Sequence, residues 1–323
     1  MFIKRFPRIR HLCFMVGYKC NLSCSYCDLW RMSQETWLSK ETVSRVCDEV
    51  LQAPTSVQIT GGEPFLAPEL HSILEFLHAR YPTSKLIITT NGTQTEKIRD
   101  LLRLWGPCKQ ISISVSLNGA LASGASSEHR EGIERTLEML AGEFPSVPRA
   151  LKTVIGYFDA EELENAFAFA VAHGCRFHIK FLEHAVSYTN PVPSSLAYKF
   201  TSPSFLLDYT SSQKESLAKG LTDFIGKHGR SRYISFFDKL YIHRMVRATR
   251  SQQPPSFCCP APGNFAMISP EGFIASCRYV PCRCRVDELG GKKLEKVLAE
   301  RVKESGECPM PRRGCFSFWN YFL

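Results

Sequence analysis

The sequence predicts an α/β protein: a partial (β/α)6 barrel of parallel strands, followed by a small cysteine-rich extension with a β-hairpin and a helix. Short apolar runs alternate with amphipathic segments six times over residues 1–185, which indicates parallel strands joined by right-handed crossovers. Three polar motifs each follow one of the first three strands. After residue 255 the composition changes, since half of the 14 cysteines lie beyond that point.

Each predicted element rests on its own periodicity. The predicted strands are Leu12–Val16, Val57–Thr60, Leu86–Thr90, Ile111–Leu117, Leu151–Ile155 and Phe177–Leu182. The predicted helices between them cover residues 39–52, 68–80, 94–105, 128–142 and 160–173. The first helix has Ser39 in the N-cap position and an apolar stripe formed by Val43, Val46, Cys47, Val50 and Leu51. Chemistry gathers at the carboxyl ends of barrel strands, so the motifs that follow the strands should share one rim.

We expect three regions along the chain. They are a barrel core, a connecting or lid region with two helices, and a cysteine-rich auxiliary region, covering 1–185, 186–255 and 256–323. The two helices of the middle region are predicted at 213–228 and 233–250. In the last region, Phe265–Ser276 is typical of a hairpin with "PEG" at its turn.

Composition narrows the class of protein. No stretch has the length of a transmembrane helix, and the apolar run near the start is too short for a signal peptide, so we expect a cytoplasmic protein without a membrane partner. The net charge of +9 tolerates an anionic partner but does not call for nucleic acid. In a reduced compartment, 14 cysteines indicate metal binding rather than disulfides.

The stretch "CNLSCSYC" places Cys20, Cys24 and Cys27 directly after the first strand. One interpretation is a helix stripe of buried thiols, but the polar residues between the cysteines favour a loop. Three cysteines on such a loop could ligate three irons of a [4Fe–4S] cluster and leave the fourth iron open. The single cysteines are predicted to be buried structural thiols: Cys13, Cys47, Cys108 and Cys175.

Two further motifs accompany the cysteine loop. "GGEP" (61–64) follows the second strand, and "TNG" (90–92) follows the third. With CxxxCxxC, an aromatic residue before its last cysteine, and "SLNG" at Ser116–Gly119, the chain resembles the radical S-adenosylmethionine (radical SAM) superfamily. Relatives usually show SLDG, so Asn118 differs from the pattern.

The resemblance implies a cofactor set and a reaction. Cys20, Cys24 and Cys27 would bind a [4Fe–4S] cluster that reductively cleaves S-adenosyl-L-methionine (SAM) to a 5′-deoxyadenosyl radical. That radical would take a hydrogen atom from a peptide or small-molecule substrate, with electrons from a protein such as flavodoxin or ferredoxin. The resemblance also implies a set of SAM-binding residues: Tyr26, Gly61, Gly62, Glu63, Asn91, Ser116 and Arg130.

The C-terminal spacing Cys259-x12-Gly272-x4-Cys277 resembles the SPASM and twitch extensions of radical SAM enzymes. This implies an auxiliary [4Fe–4S] cluster bound by Cys259, Cys277, Cys308 and Cys315, with Cys282 or Cys284 as substitutes. A structural zinc site is the alternative for these cysteines. For the whole chain, the alternative is an inactive relative or a zinc-bound interaction module.

Alternation along the last predicted strand places His178 and Lys180 on one face, where they could orient a substrate or simply be hydrogen-bonded.

Overall fold

The computed structural model describes residues 8–24, 27, 29–32, 35–106, 110–117, 127–155, 160–181, 210–250, 264–275 and 284–298. Within these ranges the chain forms two compact units. The first holds the elements up to Ile88 together with those of the C-terminal segment, and the second holds the elements that follow Thr89, up to residue 250.

In chain order, the helices and strands are β1 (His11–Met15), α1 (Lys40–Asp48), β2 (Ser56–Thr60), α2 (Leu70–Arg80), β3 (Lys85–Thr90), α3 (Thr95–Trp105), β4 (Ile111–Ser116), α4 (Ser127–Gly142), β5 (Arg149–Ile155), α5 (Ala160–Ala172), β6 (Arg176–Phe181), α6 (Ser211–His228), α7 (Phe236–Arg250), β7 (Phe265–Ile268), β8 (Phe273–Ala275) and β9 (Cys284–Arg285). All six predicted barrel strands and the helices between them are present, with ends displaced by a few residues. The prediction of an α/β fold is confirmed. The division of the chain into core, middle and auxiliary regions stays a prediction.

The sheet of the first unit has the strand order β3-β2-β1-β7-β8-β9. Strands β1, β2 and β3 pair in parallel, and β7 pairs in parallel with the other edge of β1. Strands β7 and β8 form the predicted antiparallel hairpin, and residues 294–298 form a short helical stretch after it. The C-terminal hairpin therefore continues the sheet that begins at the N-terminal strand.

Helix α1 begins where the sequence predicts, since the Ser39 side chain accepts a hydrogen bond from the Thr42 amide over 3.2 Å. It ends at Asp48 rather than at residue 52, and the segment after the hairpin is bound to this end of the helix, where the Leu294 amide donates to the Glu49 carbonyl over 2.9 Å. The Lys293 ammonium donates to the Asp48 carbonyl over 2.9 Å. Leu51 is 46% exposed, so its predicted place on the buried stripe is wrong.

The second unit has the strand order β6-β5-β4, in parallel. One face of these strands packs against helices through a ring cluster in which Phe167 of α5 lies 5.5 Å from Phe177 of β6 and 5.4 Å from Phe224 of α6. Aromatic rings at these distances are in the range of favourable edge-to-face contact. Helix α5 gives way to β6 through Gly174, whose φ of 63° suits glycine.

Three predicted structural thiols, Cys13, Cys47 and Cys175, are buried as expected. Cys108 lies outside the described residues. In the part of the chain that the structure describes, no helix combines the length and the apolar character needed to cross a bilayer.

His11, at the start of β1, gives the stability of this protein a predictable pH dependence. Burial, helped by the charge of Arg10, lowers the pKa of His11 from 6.5 to about 4. The unfolded chain therefore binds a proton that the folded chain does not, and stability falls as the pH drops from about 6.5 towards 4. The loss is up to about 3 kcal/mol for a shift of this size. We expect His11→Gln to lose less stability than the parent between pH 7 and pH 5 in urea unfolding, and an equal loss would contradict the assignment.

Candidate functional site

Two loops, one after β1 and one after β2, are joined by backbone hydrogen bonds. The Gly62 amide donates to the Gly17 carbonyl over 2.9 Å, and the Glu63 amide donates to the Lys19 carbonyl over 2.8 Å. The predicted GGEP loop therefore lies directly against the segment that leads into Cys20.

Both glycines of the GGEP loop are required by this contact. Gly61 has a φ of 142°, and a Cβ there would clash with the Gly17 carbonyl oxygen. A Cβ on Gly62 would clash with the carbonyl oxygens of Tyr18 and Lys19. Only a residue without a side chain lets the two backbones approach this closely.

Glu63 places a buried carboxylate beside the cysteine loop. Its residue is 1% exposed, and its Oε1 accepts from the Phe65 amide over 3.1 Å, which caps the short 3-10 helix Pro64–Leu66. The Glu63 charge acts on Cys20. A buried carboxylate beside a thiol loop is suited to hold a cationic group, because burial strengthens electrostatic attraction.

Cys20, Cys24 and Cys27 are all half-buried on the loop after β1. The Cys27 amide donates to the Cys24 carbonyl over 3.1 Å, so the last two form one turn. The Leu22 amide donates to the Cys20 Sγ over 3.5 Å, the kind of bond that stabilises a thiolate. Burial raises the pKa of Cys20 to about 11, and the charges of Glu63, Cys24 and Cys27 act in the same direction.

The charges of Cys24 and Cys27 both act to raise the pKa of Cys20, so the other two thiols lie near the Cys20 thiol. Among the described residues, no three His, Cys, Asp or Glu side chains converge closely enough to hold one metal ion. A [4Fe–4S] cluster asks for a different arrangement, with each thiolate on its own iron.

Two tryptophans, Trp30 and Trp37, contact the cysteine loop and the segment that leads into it. The Trp30 Nε1 donates to the Cys24 carbonyl over 3.1 Å, and the Arg31 guanidinium lies 4.7 Å from the Trp30 ring centroid. Trp37 forms a β-bridge with Gly17, at which its ring occupies the position that a Cβ would need. The chain thus leaves β1 at Gly17 and comes back to the same position at Trp37.

The C-terminal hairpin reaches the same loop through Tyr18. The Tyr18 side chain is fully buried, and its hydroxyl donates to Glu271 Oε2 over 2.7 Å. Ser269 donates to the same oxygen over 2.8 Å. Burial and the Glu271 carboxylate raise the pKa of Tyr18 well above its usual range, which keeps the hydroxyl a donor. Sequence reasoning identified "PEG" only as a turn, and no local signal connects Glu271 to Tyr18.

The other predicted SAM contacts lie in the second unit. Asn91 accepts from the Thr93 amide over 3.0 Å and from its hydroxyl over 2.7 Å, a local turn. Ser116 is half-buried at the end of β4. Arg130 is exposed in the first turn of α4 and forms an ion pair with Glu134 over 3.0 Å. For all three, the SAM-binding role stays a prediction.

The remaining predicted site residues lie outside the described residues: Tyr26, Cys259, Cys277, Cys308 and Cys315, together with Cys258 and Cys282. Cys284 is described and is buried in β9, with its Sγ 3.5 Å from the Arg285 carbonyl oxygen.

Comparison with known proteins identifies the cysteine and GGEP loops. The sequence profile of the radical SAM superfamily matches residues 14–142, a range that contains both loops. Residues 14–142 form a radical SAM domain. The superfamily predicted from the motifs is confirmed, and its cofactors are a [4Fe–4S] cluster and SAM.

The curated relatives match part of the chain. A GTP 3′,8-cyclase of Ectopseudomonas mendocina is 33% identical over 112 residues, 33% of this chain and 34% of the cyclase. The antilisterial bacteriocin subtilosin biosynthesis protein AlbA of Bacillus subtilis is 30% identical over 116 residues, 35% of this chain and 25% of AlbA. The chain thus spans about a third or less of the length of these relatives.

The solved structure of Streptococcus suis SuiB, bound to the precursor peptide SuiA, is similar over a longer range. The similarity covers 94% of this chain and 67% of SuiB, with a TM-score of 0.63 and 15% identity. At that identity the likeness concerns the fold alone.

The residues present in the domain fit the superfamily's cluster. Cys20, Cys24 and Cys27 supply three thiols, and Leu22 supplies an amide donor to sulfur. Three protein ligands would leave one iron for SAM, and the Glu63 carboxylate is buried next to the Cys20 thiol.

Proposed function

We propose that this radical SAM protein reductively cleaves SAM and uses the 5′-deoxyadenosyl radical to abstract a hydrogen atom from a peptide or small-molecule substrate. The observation that carries the proposal is the contact between the two loops: a CxxxCxxC loop whose backbone is hydrogen-bonded to a GGE loop that only glycine permits. A [4Fe–4S] cluster on the three cysteines supplies the single electron that SAM cleavage needs.

The chain's own residues bind and orient the cosubstrate. Gly61 and Gly62 let the GGEP loop pack directly against the backbone that leads into Cys20, which fixes Glu63 beside the cysteine loop. Glu63 accepts the amino group of SAM, since a buried carboxylate favours a cationic partner. Trp30, Trp37 and Tyr18 hold the loop in one conformation, so that little reorganisation is needed on binding.

A peptide is the first substrate class to consider, because SuiB, whose structure contains a precursor peptide, has a similar fold over 94% of this chain. A small molecule is the second, because GTP 3′,8-cyclases are among the relatives, one of them 33% identical over 112 residues. The electron donor is a small redox protein such as flavodoxin or ferredoxin.

We also propose an auxiliary [4Fe–4S] cluster in the C-terminal segment, on Cys259, Cys277, Cys308 and Cys315. Its support is the spacing of these cysteines around the hairpin, whose β7 pairs with β1. Such a cluster would accept an electron from a substrate radical or help to place the substrate. The opposing hypothesis is a structural zinc site.

Anaerobic reconstitution tests both parts of the proposal. The full chain, supplied with iron and sulfide, should bind about eight irons if both clusters form. With dithionite and SAM it should release 5′-deoxyadenosine, measured by liquid chromatography. Absence of 5′-deoxyadenosine from a protein that has bound iron would contradict the catalytic proposal. About four irons with one zinc would contradict the auxiliary cluster alone.

A further inference from the structure

A row of polar side chains crosses the three strands of the second unit. The parallel register places Ser116 of β4 beside Lys152 of β5, and Lys152 beside His178 of β6. Paired residues of neighbouring parallel strands lie about 4.8 Å apart and point to the same face, so the row spans roughly 10 Å. Lys180 lies two residues beyond His178 on that face.

This row lies on the face of the strands opposite to α5 and α6, and the start of α7 contacts the row through Asp238. The residues next to it, Val115, Leu151 and Phe177, are also in register with one another and are fully buried. Phe177 contacts Phe167 of α5, so helix packing occupies their side of the sheet. Because side chains alternate along a strand, Ser116, Lys152 and His178 point away from α5, and all three are half-buried.

Polar groups in such a position call for an explanation. Parallel strands are normally apolar on both faces, since both faces are covered. Here β6 reads Phe-His-Ile-Lys-Phe at 177–181, a strict alternation of apolar and polar residues. The composition is therefore that of a strand with one apolar face on a core and one polar face.

His178 is fixed in orientation by a buried carboxylate. Its Nδ1 lies 3.0 Å from both oxygens of Asp238, at the start of α7, and the Asp238 residue is 1% exposed. The amide and hydroxyl of Ser235 also donate to Asp238 Oδ2. A carboxylate only accepts, so Nδ1 carries the proton of this bond, and Nε2 is the atom through which His178 would contact a ligand.

We propose that the row Ser116, Lys152, His178 and Lys180 binds an oxyanion of the substrate, a carboxylate or a phosphate. This inference rests on the proposed function, because it assigns a substrate group to the same enzyme. Two ammonium groups attract an anion, and the Ser116 hydroxyl can donate to its oxygens. The nearby carboxylate of Asp238 does not oppose such a ligand, since His178 and Ser235 already donate to it.

The test uses the reconstituted full chain and two probes, inorganic pyrophosphate and the dipeptide acetyl-Glu-Glu-amide. Binding is measured by isothermal titration calorimetry at low ionic strength. We expect Lys152→Met and Lys180→Met each to weaken binding of the probe by at least about 12-fold, the factor that corresponds to roughly 1.5 kcal/mol, the lower bound for one hydrogen bond to a charged group. Methionine keeps the aliphatic stem, and Lys152→Arg and Lys180→Arg should restore most of the affinity.

Lys219→Met is the matched control, because it removes one charge from an exposed position of α6 in the same unit. If it weakens both probes as much as the row variants do, the effect is one of net charge and the proposal is wrong. The proposal would also be wrong if neither probe binds to the parent protein. The probe that binds tells whether the substrate group is a phosphate or a carboxylate.

SAM also carries a carboxylate, so SAM affinity is measured with the same variants. A loss of SAM binding with unchanged probe binding would assign the row to the cosubstrate and overturn the proposal. Release of 5′-deoxyadenosine in the absence of substrate distinguishes failure of the oxyanion site from failure of the proposed function. If 5′-deoxyadenosine is released but probe binding does not depend on Lys152 or Lys180, only the oxyanion site is wrong. If no 5′-deoxyadenosine is released but probe binding depends on these lysines, only the proposed function is wrong.

Discussion

Cys24→Ala is expected to abolish 5′-deoxyadenosine release and to remove about four irons per chain from the reconstituted protein. Cys24 forms one turn with Cys27, and its carbonyl accepts from Trp30, so the thiol has a fixed place in the loop. Loss of a partner that only supports a metal ligand costs about 10- to 100-fold in affinity or activity, and loss of the ligand should cost more. Iron and sulfide assays together with SAM cleavage measure the effect.

Cys47→Ala is the control for this experiment. Cys47 is a fully buried thiol in α1 of the same unit, and burial raises the pKa of Cys47 to about 12, so it remains a neutral thiol. Its replacement should lower stability slightly and leave iron content unchanged. Equal iron content and equal 5′-deoxyadenosine release from Cys24→Ala and the parent would show that the cluster lies elsewhere.

Gly62→Ala is the second variant with a large expected effect. Its methyl group would clash with the carbonyl oxygens of Tyr18 and Lys19, so the GGEP loop must move away from the cysteine loop. That movement breaks the bonds from Gly62 to Gly17 and from Glu63 to Lys19. A displacement of 1 Å in the groups that position a substrate lowers the reaction rate about 100-fold, and we expect the rate of SAM cleavage to fall by at least that factor.

A matched Gly→Ala variant separates this clash from a general effect of alanine. Gly226 lies exposed in α6, and nothing is within 4 Å of the position that its Cβ would take. Gly226→Ala should therefore keep full activity and gain up to about 1 kcal/mol of stability. SAM binding at parental affinity by a folded Gly62→Ala would refute the close approach of the two loops.

Local patterns were enough to predict the elements and the two loops. Helix α1 begins at Ser39 because a serine hydroxyl satisfies a free amide, and that information lies within four residues. The GGEP loop is recognised from its resemblance to the family motif, next to a cysteine loop, and the structure gives the reason for its glycines in the clashes at Gly61 and Gly62.

What the sequence did not predict depends on pairs of residues far apart in the chain. Lys293 donates a hydrogen bond to the C-terminal end of α1, and Tyr18 has its partner in Glu271. Periodicity indicated that His178 and Lys180 share a face, but only the register of β5 against β6 places Lys152 in the same row. No pattern within a window of a few residues contains such information.

The pairing of β1 with β7 also has a consequence for biosynthesis. Tyr18 and Glu271 are separated by 253 residues, so β1 leaves the ribosome long before its neighbouring strand exists. At about 5–20 residues per second, the N-terminal strand waits roughly 10–50 s with one edge unpaired. An open, apolar edge is a template for aggregation. Nascent chains of this protein should therefore need a chaperone until the hairpin arrives, and the hydrogen bond from Tyr18 to Glu271 beside the cysteine loop forms only after Glu271 has been translated.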